Sequence, residues 1–557
     1  MTAALYYHPE AYTTAGPKLM GRNAAGESFL RGFLSHSKAT EFWTQVQQPA
    51  HAQHFGQAVA ALGRKEPVKA VYKNTLAALA QVGVVYYPGP GIGEYAFHRA
   101  TAGGNVGHGA WSLCGITHTT SSAGAMDALA ALVTSPVQAW DAVICTSTAV
   151  KDNVVRLLQA QVDYLNDRLG ITKVTLPQLP VIPLGIHTDD FVYSDDQNAA
   201  ARHAIGAGKD SLVVLFAGRL SFHAKAHPLA MYQALQKAAE VSGRDVVLVE
   251  CGWFANDFIQ KAYADAHKLA CPNVRIVTLD GRLAEVRLTA WASADVFCSL
   301  SDNIQETFGL VPIEAMAAGI PVVVADWNGY KDTVRDGVDG FRIPTLMPQA
   351  GLAGDLAHRH ALEIDTYDMY CGHACSLIAV DVEATAQAFI KLFTSPELRQ
   401  KMGEAGRQRA KQVYDWKTII GQYEDLWANL NDFRKAEAPK IHGLQHPWPA
   451  RMDPFHAFAS YPTQALTPET VLRLTDADLS TAQQRLCQYR QLAMVDFAKV
   501  VLPTEEETNF VLAKLAGGAA PSLQQAGVLI QGLPQKRQAI VFRALAWMVK
   551  MGVLAVG

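Results

Sequence analysis

Short apolar runs alternate along most of this chain with longer segments whose apolar positions recur at helical spacing. That βα rhythm predicts parallel sheets covered by helices on both faces. In the first part the runs fall at residues 4–7, 82–87, 113–117, 142–146 and 181–184. A polar, charged link over 187–210 precedes a second series at 212–217, 246–250, 274–279, 296–300 and 322–325. Two α/β halves of this kind turn the carboxyl ends of their strands toward each other across a cleft, where such sheets bind ligands. From residue 383 the pattern becomes helical, and beyond a link rich in Pro and His at 438–454 the rest reads as an all-helical appendage. There Thr467 with Pro468, and Thr504 with an acidic run behind it, each read as a helix start. The closing apolar-faced helix, 538–556, is suited to docking on the body, to dimerisation or to a partner. The expected divisions are 1–190, 191–430 with an insertion at 346–379, a linker at 431–455, and a helical domain at 456–557.

The segment 303–326, NIQETFGLVPIEAMAAGIPVVVAD, holds the densest chemistry. Pro312 suits the first position of a helix, where its missing N–H costs nothing. Gly319 is a natural left-handed stop, and Pro321 bars continuation before the strand at 322–325. A helix entered this way aims its unpaired N–H groups and the positive end of its dipole at whatever lies above the sheet, and a diphosphate fits that spot. Gly309 lets the backbone come close. Glu314 is placed to accept two hydrogen bonds from a ribose diol, with Glu306 facing the other end of the ligand. Taken singly, each glutamate reads equally well as a dipole complement or a solvated loop acid.

Glu306 and Glu314, with Thr307, Phe308, Gly309 and Leu310 between them, resemble the signature of the retaining glycosyltransferases of family 4, whose fold is the two-domain GT-B type. Upstream, LVVLFAGRLSFHAKAHPL (212–229) is similar to that family's strand followed by an Arg and, six residues on, a Lys, here Arg219 and Lys225. LCGITHT (113–119) puts His118 where the family has a histidine near the sugar. Ala226 and Thr119 stand where the family commonly has Gly and Asp. DAVICTSTAVKDNV (141–154) and LPVIPLGIHTDDF (179–191) resemble the last strand-helix unit of the first domain and the interdomain crossing. GRNAAGESFLRGFL (21–34) resembles the family's first loop, near donor phosphate and acceptor, from which Gly26 is carried over. The resemblance covers about residues 1–430 and implies two Rossmann-like domains facing across a cleft.

It further implies front-face transfer from a sugar nucleotide, UDP- or GDP-linked, with retention and without a metal. Arg219, Lys225 and backbone amides would hold the diphosphate while Glu306 and His118 position the sugar. The sugar nucleotide is then a substrate and no cofactor is expected; no Asp-x-Asp motif stands at a strand end. The acceptor is a carbohydrate, a lipid-linked sugar or a protein, with bacterial polysaccharide or glycolipid synthesis as the default setting. A sugar-nucleotide epimerase and a non-catalytic scaffold are the competing classes. The full set Arg219, Lys225, Glu306 and Glu314 weighs against the scaffold, which has no need of all four.

Composition narrows the partners. Hydrophobic content of 49% and a formal charge of -3 argue against disorder and against nucleic-acid binding, since no basic excess exists to neutralise phosphates. The amino terminus lacks a basic region followed by an apolar run, and no stretch is long and apolar enough to span a bilayer. The expectation is a cytoplasmic enzyme, with peripheral contact at the inner membrane face and self-association through the C-terminal helices left open. Eight scattered cysteines, several in strand-like runs, fit a reducing compartment. The glycine-rich GPGIGEY at 89 and GGNVGHG at 103 lack the dinucleotide spacing and read as loops lining the cleft. Within 346–379, His358, His360, His373, Cys371 and Cys375 form only a loose zinc pattern, so a lid or an extension of the donor pocket is the preferred reading.

Overall fold

The computed structural model describes residues 2–13, 21–441, 447–476, 478–517 and 522–557. Readings that touch residues 14–20 and 442–446 lie outside the described residues. Residues 1–448 and 449–557 form two compact units.

The first unit holds two six-stranded sheets, each parallel throughout. The first is built from β1 (Ala4–Tyr7), β2 (Phe42–Val46), β3 (Val68–Val71), β4 (Val84–Tyr86), β5 (Ser112–Ile116) and β6 (Ala142–Ile144), in spatial order β3-β2-β1-β4-β5-β6. The second comprises β7 (Leu212–Ala217), β8 (Val246–Gly252), β9 (Arg275–Asp280), β10 (Val296–Ser299), β11 (Val322–Ala325) and β12 (Gly340–Ile343), ordered β12-β11-β10-β7-β8-β9. Both orders reverse beside the first strand of the half, the switch point at which such sheets open a binding crevice. The central strands read as unbroken apolar runs because both their faces are covered: β8 and β11 are buried along their whole length.

Nine of the ten expected strands are present, within a few residues of the expected ends. The run at 181–184 is instead an irregular segment touching the sheet through one bridge, Cys145 to Val181. Its prolines at 180 and 183 remove the N–H groups a ladder needs. In exchange, β2 and β3 lie on the outer side of the first sheet, where FWTQV and VKAV mix polar with apolar positions and give no continuous run.

The chain passes between the halves twice at neighbouring points, and one core cluster runs through both. Ile186 N donates to Tyr414 O (2.8 Å) and Trp416 N donates back to Ile186 O (3.0 Å). The Trp416–Glu437 helix then returns to the first half. There Ser37 Oγ and Lys38 N both donate to Glu424 Oε1, at 2.7 and 3.0 Å. This helix continues past residue 430, so 431–437 is helix and not linker.

The second unit is mostly helical but not all-helical. Val471–Leu474 pairs antiparallel with Gln524–Gln525 and with Leu554–Val556 in a small three-stranded sheet. The helix expected from Thr467 and Pro468 is absent: Leu472 and Leu474 are buried while Val471 is partly buried and Arg473 exposed, the period-two alternation of a strand. The Thr504 start is present, with Glu507 closing a reciprocal capping box before the Glu505–Lys514 helix.

Candidate functional site

The charged residues the sequence singled out in the second half follow the carboxyl ends of two neighbouring strands: Arg219 and Lys225 come after β7, and Glu306 and Glu314 after β10. The Leu310–Ala317 helix opens with Gly309 as cap at φ +87°, a conformation that a side chain resists. A Cβ at Gly309 would also fall 2.0 Å from the Tyr330 ring. The helix starts two residues earlier than expected, so Pro312 sits at its third position, still in the first turn where no N–H partner is lost. Gly319 ends it at φ +75°, as the sequence suggested.

Glu306 and Lys225 form one ion pair, Nζ to Oε2 at 2.6 Å, with both side chains largely covered. Burial works to raise the Glu306 pKa, but Lys225 and the backbone N–H groups of Phe308 and Thr307 outweigh it and hold the carboxyl below its ordinary value. Glu306 is therefore a charged, fixed acceptor. Glu314 is the opposite case: burial pushes its carboxyl up to about 7, only partly offset by the charges of Arg287 and Lys225. Its carboxylate makes no hydrogen bond or ion pair among the described residues. The two glutamates thus differ in charge state at neutral pH through their surroundings alone.

Arg219 follows β7 and donates from Nη2 to Ala224 O (3.1 Å), which folds the loop to Lys225 back on itself. Phe308 is buried, and its neighbour Thr307 joins the halves: Thr307 Oγ1 donates to His118 O (3.0 Å), and Ser147 Oγ donates to Thr307 O (2.8 Å). His118 lies just past β5 and, with Gly26, walls a cavity lined also by Tyr12, Phe29, Tyr86 and Tyr423. The structure thus groups Lys225, Glu306, Thr307 and His118 directly, while Gly26 stays within the first half.

Two glycine readings change. Gly26 is not on a loop: it sits inside the Gly21–His36 helix, where a Cβ would fall 1.9 Å from Ala11 O, so its use is close packing against the turn at 9–12. The GGNVGHG stretch forms the turn Gly104–Gly109, which precedes β5 and so lies at the amino end of the sheet, away from the cleft. Gly89 follows β4 at the carboxyl end, but from Gly93 the chain is already helical.

Residues without a distinct signature complete the site. Asn328, at φ +45°, donates from Nδ2 to Glu306 O, and Ser147 Oγ approaches its Oδ1 at 3.3 Å. Its signal was the Asn-Gly pair at 328–329, a mark of strained turns. Asn303 Nδ2 donates to His223 O (2.9 Å) and steadies the loop between the two cations. In the insertion, His373 Nδ1 meets Asp365 Oδ2 (3.0 Å) and His360 stacks on Tyr370. Among the described residues no group of three or more His, Cys, Asp or Glu is placed to hold a metal.

With this geometry in hand, residues 197–353 match the family model described as Glycosyl transferases group 1. That segment belongs to glycosyl transferases group 1. The group 1 segment contains Arg219, Lys225, Glu306 and Glu314, so the grouped charges and the family match coincide. The chain is 27% identical to the D-inositol 3-phosphate glycosyltransferase of Streptomyces griseus over 311 residues, 54% of this chain and 57% of that protein. It is 31% identical to the phosphatidyl-myo-inositol mannosyltransferase of Mycobacterium leprae over 137 residues, 24% of this chain and 27% of that protein. This chain spans about half the length, or less, of the curated relatives it matches. Among solved structures, Anabaena HepE in complex with UDP aligns at a TM-score of 0.48 and 16% identity, covering 77% of this chain and 100% of that one.

Proposed function

We propose that this chain transfers a sugar from a nucleoside-diphosphate sugar, UDP- or GDP-linked, to a hydroxyl-bearing acceptor, with retention and without a metal. The observation that carries the reading is the ionised Glu306, paired with Lys225 at 2.6 Å beside the open start of the Leu310–Ala317 helix, inside the group 1 segment. The diphosphate takes the place above that helix start. Arg219, Lys225 and free backbone N–H groups there offset its charge, and this stabilisation matters most as the phosphate leaves. Glu314, whose carboxyl burial raises to about 7 so that it is about half protonated at neutral pH, holds the nucleoside end by accepting from the ribose diol. Glu306 and the His118 loop fix the sugar between them. The inositol-containing names of the relatives support a polyol acceptor and a setting in bacterial glycolipid or polysaccharide synthesis.

Incubation with UDP-, GDP- and ADP-sugars in the absence of acceptor tests this through slow release of nucleoside diphosphate. One donor should be consumed, and Glu306→Ala should lower the rate by about a hundredfold or more, as loss of one charged group from such a site does. Silence across the panel, or an unaffected variant, would remove the reading, and an isomerised sugar nucleotide would replace transfer with epimerisation.

A further inference from the structure

The insertion does more than enlarge the donor half. A short antiparallel pair, Thr345–Leu346 with Ala379–Val380, closes its neck, and the helix Tyr367–Cys375 lies beyond it. One face of that helix rests on the loop between Arg219 and Lys225. Cys375 Sγ lies 3.9 Å from Phe222 O and 3.8 Å from His223 O, and a Cβ at Gly372 would touch His223 Cβ at 3.0 Å. Its first residue reaches the other half of the unit. The Tyr367 hydroxyl is 3.0 Å from Ser121 Oγ and 3.4 Å from Thr119 Oγ1, both on the loop that follows His118. Cys371 is fully buried on the same face.

His118 is therefore bracketed from the donor half: its carbonyl is held by Thr307, and the residues after it by Tyr367. We infer that Tyr367 is a positioning residue of the site, holding the His118 loop at its working distance from the donor through Ser121. The inference rests on the proposed transfer reaction and adds to it the insertion's role. A single part-buried hydroxyl pair of this kind adds little to folding, so it does little as a staple for stability. A small displacement of a reacting group can cost about a hundredfold in rate, so the same bond can matter far more for turnover.

The test compares Tyr367→Phe, Ser121→Ala and the double variant in the full chain, reading kcat and donor KM together with amide hydrogen exchange. Each single variant should lower kcat about tenfold at a donor KM within about twofold, because the loop is displaced while the donor half is untouched. The double variant should lose no more than either single one. Ser121→Thr, which keeps the hydroxyl, should restore kcat. Exchange at 117–121 should rise in Tyr367→Phe while exchange at 212–217 stays as in the wild type. Unchanged kcat, additive losses, or unchanged exchange at 117–121 would overturn the inference. If the wild type consumed no donor, the transfer reading would fail separately, and exchange alone would decide the tie: a rise supports it and no change ends it.

Discussion

Residues of one chemical type behave differently here because of what surrounds them. Glu250, on β8, is buried, and among the described residues its carboxyl has one hydrogen-bond partner, the hydroxyl of Tyr232, which donates to it. Burial raises its carboxyl to about 7 from 4.5, and the Tyr232 bond opposes this only in part. The unfolded chain loses that proton near pH 4.5, whereas the folded chain keeps it to about 7. The resulting stability is fully present below pH 4.5 and is lost as pH rises through 7, by up to about 3 kcal/mol. Glu250→Gln cannot titrate and still accepts from Tyr232. Its melting temperature relative to wild type should therefore climb between pH 5 and pH 8; a constant difference would show that the carboxyl is not held neutral. Nothing in the VVLVECG run announces this behaviour. Sequence reading identified Glu306 and Glu314 through spacing and resemblance, yet the opposite directions in which their carboxyls shift depend on Lys225 and on burial, which only the folded chain reveals.

Among the elements, legibility follows the unbroken apolar run and not burial as such: β9 was legible although none of its residues is fully buried, and β2, buried throughout, was missed because Thr44 and Gln45 interrupt its run. β1, β7 and β11 coincide with their expected ends because buried parallel strands must be apolar throughout. β2 and β3, beyond β1 in the first sheet, were missed, and VLRL, half-buried in a small antiparallel sheet, was mistaken for helix. The Leu310–Ala317 helix was legible through its punctuation, and its cap carries a second prediction. Gly309→Ala must adopt a left-handed backbone, at about 1–2 kcal/mol, and push its methyl against Tyr330, at a further 1–3 kcal/mol. A loss of about 2–5 kcal/mol in urea unfolding is expected for the first unit. A loss under about 0.5 kcal/mol would mean that the cap rearranges at little cost.

At the scale of the whole molecule, the question is which part of the chain the proposed chemistry requires. Every residue given a role, from Gly26 to Tyr367, lies in 1–448, and one core cluster runs through both sheets of that unit and the returning Trp416–Glu437 helix. The second unit has a core of its own, drawn from residues 472–554 only, with Leu472, Leu486, Leu512, Leu545 and Met548 at its centre. Neither core cluster includes a residue of the other unit. A core built wholly from local residues should fold without the remainder, since burial of those side chains supplies most of the driving force. Residues 1–448 expressed alone should melt cooperatively and consume the same donor at a kcat within about threefold of the full chain. Residues 449–557 alone should show helical circular dichroism with a transition of their own. An unfolded 1–448 fragment would show that its core needs the second unit, and a folded fragment with normal donor KM but at least tenfold lower kcat would place part of the catalytic machinery in the C-terminal unit.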